Sequence, residues 1–75
     1  MLIKRSFILS GHATSLALEP EFWSVIEDHA RETSQSLTRL VCHIDNERLD
    51  KSLNVSLASA CRVWALKLLI ARLKH

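Results

Sequence analysis

The stretch His12-Ala13-Thr14-Ser15-Leu16-Ala17-Leu18-Glu19-Pro20 decides how the rest of the chain is read. Thr14, Leu16 and Leu18 share one parity, and Ala13, Ser15 and Ala17 share the other. A period of two with leucines on one side reads as a half-buried strand over 12–18. Upstream, Phe7 and Leu9 have the opposite parity to Leu16 and Leu18, so one straight strand would send the two sets to opposite faces. Gly11 must then be a bulge or a turn. Residues 1–11 are accordingly an N-terminal arm or strand extension, or they fold back at Ser10-Gly11 as a hairpin. A lone strand cannot satisfy its own backbone groups. Its simplest mate is a second copy of itself.

Downstream of the strand the periodicity becomes helical. Pro20 suits a first helical position, and Glu19 and Glu21 favour the positive end of the helix dipole. Phe22, Ile26, Ala30 and Thr33 then form one stripe with Trp23 beside it, giving a helix over 20–34. Ser36 is a good N-cap for a second helix over 36–49, with Leu37, Leu40, Val41 and Ile44 in step. Its rhythm fades through the polar run Asp45–Ser52. A third helix spans 57–73 behind Ser56. Leu57, Ala60, Cys61, Trp64, Leu68 and Ala71 make one of its stripes; Leu66, Leu69, Ile70 and Leu73 make another. A helix apolar on most sides needs neighbours all round, and 75 residues supply few of them within one chain.

Size and composition sharpen that point. Seventy-five residues make one domain, 1–75, whose small core leaves it marginal without support. Cys42 and Cys61 are the only cysteines and sit in no metal-ligand spacing, so disulfide and metal support are not expected. Oligomerisation remains, and 48% apolar residues provide material for it. The N-terminal run is broken by Lys4 and Arg5, unlike a secretory signal. Val63-Trp64-Ala65-Leu66 is too short to span a bilayer. A cytoplasmic protein with two reduced thiols is the resulting expectation. The net charge of +2 is no argument for nucleic acid, but its distribution is uneven. Positive charge gathers at both ends of the chain and negative charge on 13–35, which permits an electropositive face.

Lys4-Arg5-Ser6, Gly11-His12, Thr14-Ser15-Leu16 and Leu18-Glu19-Pro20-Glu21-Phe22-Trp23 resemble a bacterial ribbon-helix-helix family. Ser36-Leu37, Ile44-Asp45, Ser59-Ala60 and Arg62-Val63 extend the likeness over most of the chain. The resemblance implies a mostly α fold: one N-terminal strand paired across a homodimer, followed by three helices. It also implies a DNA-binding protein, a transcriptional regulator that lays the two-stranded ribbon in the major groove of double-stranded DNA. On that pattern Ala13, Ser15 and Ala17 face the DNA. The implied phosphate contacts are Lys4, Arg5, His12 and the free backbone N–H groups at Ser36 and Leu37. The expected dimer core is Leu16, Leu18, Phe22, Trp23, Ile26, Leu40, Val41, Ile44, Cys61, Trp64 and Leu68.

Two of the three reading positions are alanine, which can touch a thymine methyl but can form no hydrogen bond with a base; only Ser15 can. The alternative reading is therefore an antitoxin-like or other protein-interaction module that kept the fold and lost base reading. Nothing in the chain resembles a catalytic triad, a paired-carboxylate site or a phosphate loop, so no enzyme is expected. His29, His43, Cys42 and Cys61 match no zinc pattern, so neither metal nor cofactor is expected. The basic, apolar helix 57–74 raises membrane-surface binding, but a dimer core would consume that face, and no membrane partner is expected.

Overall fold

The computed structural model describes residues 1–51 and 54–74. Two strands, β1 (Ile3–Leu9) and β2 (His12–Leu18), form an antiparallel hairpin. Three helices follow: α1 (Pro20–Glu32), α2 (Leu37–Asp50) and α3 (Leu57–Leu73). The third helix lies where its periodicity puts it. The first stops short of 34, and the second begins one residue after Ser36 and runs one past 49.

The parity conflict resolves at the turn. Leu9 stands opposite His12, leaving Ser10 and Gly11 as a two-residue loop. Both have positive φ, 51° and 83°, the geometry of a turn whose twist suits a hairpin. Each paired couple sums to 21, so odd residues of β1 face even residues of β2. Phe7, Leu9, Leu16 and Leu18 thereby all turn inward and are buried. The strand finds its mate within its own chain. Of the readings open for residues 1–11, the hairpin at Ser10-Gly11 is the one found: residues 3–9 are a full strand, so the expected one strand per copy is corrected to two.

The core is closed in the same way. Leu16, Leu18, Trp23, Ile26, Leu40, Val41, Ile44 and Cys61 are buried within one chain, joined by Phe7, Leu9, Ala30 and Ala65. Phe22 and Trp64 pack against this cluster half-buried, and Leu68 is also half-buried. Of the eleven residues expected to form a core shared between two copies, one copy buries eight by itself and leaves Phe22, Trp64 and Leu68 half-buried. Fewer neighbours are needed than composition implied, because the hairpin roofs the helices. Its β1 lies against α2 and its β2 against α3.

Helix ends are built as their residues dictate. Ser36 Oγ accepts from Arg39 N at 3.0 Å, and Ser56 Oγ accepts from Ser59 N at 3.0 Å. Both satisfy an N–H that would otherwise lack a helical partner. Pro20 opens α1 with no side-chain cap. At its far end, Gln35 N donates to Ala30 O at 3.0 Å and Ser34 N to Arg31 O at 3.2 Å. This pair of bonds forces Ser34 into the left-handed region at φ 55°, a place usually held by glycine.

Two outcomes follow from these features. Ser34→Gly removes the Cβ from a left-handed residue and should raise stability by about 1 kcal/mol in urea unfolding; a loss of stability would contradict the turn. Burial pushes the Cys61 thiol up to about 12 from an ordinary value of 9.0. The unfolded chain ionises first, so this stabilising term is full below pH 9 and is lost as pH rises towards 12. In native protein near neutral pH, iodoacetamide should modify half-buried Cys42 and spare Cys61 until the chain is unfolded.

Candidate nucleic-acid interface

The turn that sends Phe7 and Leu16 inward sends the other residues of both strands outward. Lys4, Ser6 and Ile8 come from β1, and Ala13, Ser15 and Ala17 from β2. Directly opposed pairs are Lys4 with Ala17, Ser6 with Ser15, and Ile8 with Ala13. All of these are exposed except half-buried Ala17. A two-residue turn makes Leu9 and His12 a hydrogen-bonded pair, so the outward couples are the non-hydrogen-bonded ones, whose side chains stand closest. The face is thus a small ridge: two hydroxyls at its centre, a cation at one end, and Ile8 beside Ala13 near the turn.

The expected DNA-facing residues Ala13, Ser15 and Ala17 do lie together on this face. Lys4 joins them, and no acid is paired with it among the described residues. His12 is exposed at the turn. Arg5 is different. As an odd residue of β1 it turns inward, and its guanidinium lies 4.6 Å from the Trp23 ring centroid. It also donates to Glu27 Oε1 at 3.1 Å. A phosphate contact by Arg5 therefore has no support in this geometry. Trp23 completes the clasp, with Nε1 donating to Ile3 O at 2.8 Å and its ring stacked 6.1 Å from Phe7. Together these contacts hold the start of β1 onto α1.

A second tie fixes the strand-to-helix junction. Arg62 on α3 grips Glu19 with both ends of its fork, Nε to Oε1 at 2.9 Å and Nη2 to Oε2 at 3.2 Å. This bidentate bond holds the Glu19 carboxyl below its ordinary value, and the Glu19 backbone N–H adds to the effect. Glu19 and Arg62 are thereby occupied in positioning the hairpin.

Ser36 and Leu37 lie elsewhere on the chain, and among the described residues no hydrogen bond joins them to the hairpin. The first turn of α2 carries no acid, and exposed Arg39 stands in it. Arg39 has no ion pair among the described residues, whereas the other five arginines do. Ser6, Ile8 and Arg39 were missed from sequence. The first two required the hairpin register. Arg39 could have been found as the cation three residues beyond the Ser36 cap.

Among the described residues, no three of His, Cys, Asp and Glu gather as a metal site. No helix among them is long and apolar enough to cross a membrane. A family model described as a ribbon-helix-helix domain matches residues 2–69. No curated protein and no solved structure matches the chain.

The Arg5 assignment is open to a double-mutant cycle. Arg5→Ala with Glu27→Gln should return a coupling of about 0.5 kcal/mol in urea unfolding, as partly exposed ion pairs do. Zero coupling would return Arg5 to the list of groups free to meet a ligand.

Proposed function

The chain belongs to the ribbon-helix-helix domain family, and on that premise we propose that it is a cytoplasmic, dimeric DNA-binding regulator. Domains of this family generally bind DNA as dimers. The observation that carries the proposal here is the outer hairpin face, where Lys4, Ser6 and Ser15 stand together without acids or bulky side chains between them. The small residues of this ridge, Ser6, Ala13, Ser15 and Ala17, can approach base edges closely in a major groove about 12 Å wide.

Two copies meet through the open edge of β2. The hydrogen-bonded couples of the hairpin use the N–H and C=O groups of even β2 residues. Those of Ala13, Ser15 and Ala17 point to the other side. Antiparallel pairing of two β2 edges gives a four-stranded sheet with β1 on each flank. Strands are spaced about 4.8 Å apart, so the β1 strands lie about 7 Å either side of the centre line. That is close to half the groove width, over its walls. Ser15 then faces bases while Lys4 meets phosphates. Arg39 and the N–H groups at Ser36 and Leu37 are further phosphate contacts.

Base discrimination is weak in this arrangement, because neither Ala13 nor Ala17 can hydrogen-bond and a good bidentate contact supplies about 1–3 kcal/mol. Affinity rests on phosphate contacts and on DNA shape. The same two alanines favour a second reading, an antitoxin-like or related protein-interaction module. No catalysis is assigned in either case.

The test is a fluorescence titration of mixed-sequence duplex DNA over a range of salt. Wild-type protein should bind at low salt and lose affinity steeply as salt rises. Lys4→Ala, with two copies per dimer, should lower the slope of log affinity against log salt by roughly 2. Absence of duplex binding at low salt would end the DNA reading and leave the protein-interaction module.

A further inference from the structure

One face of α3 packs inward through Leu57, Cys61, Trp64, Ala65 and Leu68. At 100° per residue the opposite face carries Val63, Leu66, Ile70 and Leu73, with exposed Lys67 along one margin and Leu69 along the other. A surface helix ordinarily turns polar residues outward, but these five apolar residues are exposed by 47, 54, 43, 84 and 41% respectively. No other described helix presents such a run; Leu49 is the single large apolar residue left exposed on α2.

We propose that this face is where two copies of the chain pack helix against helix, α3 antiparallel to α3. The inference rests on the dimer reading above and assigns it a surface. Three observations identify the occupant. The spacing 63, 66, 70, 73 runs three, four, three, the same in both directions. A two-fold axis beside residue 68 therefore sets Val63 against Leu73 of the other copy and Leu66 against Ile70, with every contact repeated. Next, α3 is the helix that lies against β2, the strand whose open edge was assigned to the same partner. An axis perpendicular to the sheet pairs antiparallel strands above and antiparallel helices below in one operation.

The third observation is area. From Val63 to Leu73 the stripe is about 15 Å long, too short to supply alone the roughly 800 Å² per partner of a standard interface. Nor is the edge of one seven-residue strand enough. The two surfaces complement each other. Charge decides against other ways for copies to dock here. Two of the cations on α3 are neutralised within the chain, Arg62 by Glu19 and Arg72 by Glu32, and the third, exposed Lys67, stands at the margin of the stripe, where its long stem lets the ammonium reach water. The exposed face of α1 offers Glu21 and Asp28 but no large apolar residue, so α1 of another copy has nothing to cover the stripe with.

The experiment is analytical ultracentrifugation over a concentration series, on wild type, Leu66→Asp/Ile70→Asp, and a Ser24→Asp control on the exposed side of α1. The residues replaced are exposed in one copy, so circular dichroism and melting of the monomer should be unchanged. Wild type and control should be dimers, and the double variant should dimerise at least about a hundredfold more weakly. A wild type that stays monomeric overturns the dimer and this surface together. A double variant that dimerises like wild type overturns this surface alone and leaves dimerisation to β2. If wild type is monomeric yet binds an acidic amphipathic peptide or anionic vesicles, with binding lost in the double variant, the face belongs to that partner and the proposal fails.

Discussion

Everything in this fold hangs on the register set at Ser10-Gly11. With Leu9 opposite His12, inward-pointing residues of β1 meet inward-pointing residues of β2, and the hairpin acquires one greasy face and one small, polar one. A slip by one residue would expose Phe7 and Leu9 and bury Lys4 and Ile8. Trp23 reinforces the chosen register from below: it donates a hydrogen bond to Ile3 O, stacks on Phe7 and receives Arg5 on its ring. The roof, the core beneath it and the outer ridge are consequences of that single pairing.

A core closed within one chain changes how assembly relates to folding. In an intertwined dimer the same apolar side chains would serve both, and separated copies would unfold. Here Leu18, Ile26, Val41 and Cys61 are covered without help, while half of the large apolar residues left exposed among the described residues sit on α3, away from the core. Such an arrangement has two apolar layers on one helix, one for the fold and one for a neighbour. It also explains why α3 shows so little amphipathic contrast despite being half-buried: its polar residues are confined to narrow margins between the layers.

Much of this was legible in the residues. Pro20, Ser36 and Ser56 located three helix starts, because each solves a specific backbone problem that few other residues solve. The alternation over 12–18 located the strand and its outward face. The choice of strand partner was not legible, since parity demanded a bend at Gly11 but could not say whether the chain reversed there. Eight of the eleven residues expected in a shared core are already covered within one chain. Stripe patterns report that a side chain is buried and are silent about which copy buries it. The surroundings of Arg5 were hidden for the same reason: its distance from Trp23 and Glu27 in sequence, 18 and 22 residues, concealed contacts that only the hairpin creates. The Leu66-Ile70 stripe was noticed, but its exposure could not be known before the hairpin had supplied the missing neighbours.

The two rims of the hairpin are unlike. Along β2 the outward side chains are Ala13, Ser15 and Ala17, uncharged and small; along β1 they include Lys4 and bulky Ile8. An unguarded rim invites another strand, and a rim carrying lysine discourages one. If both were equally inviting, β1 of one molecule could add to β2 of the next without limit, and the protein would grow as a polymer. With one rim permissive and the other guarded, sheet extension stops after the two permissive rims have met. On that physical ground a charge at Lys4 disfavours edge-to-edge growth along β1.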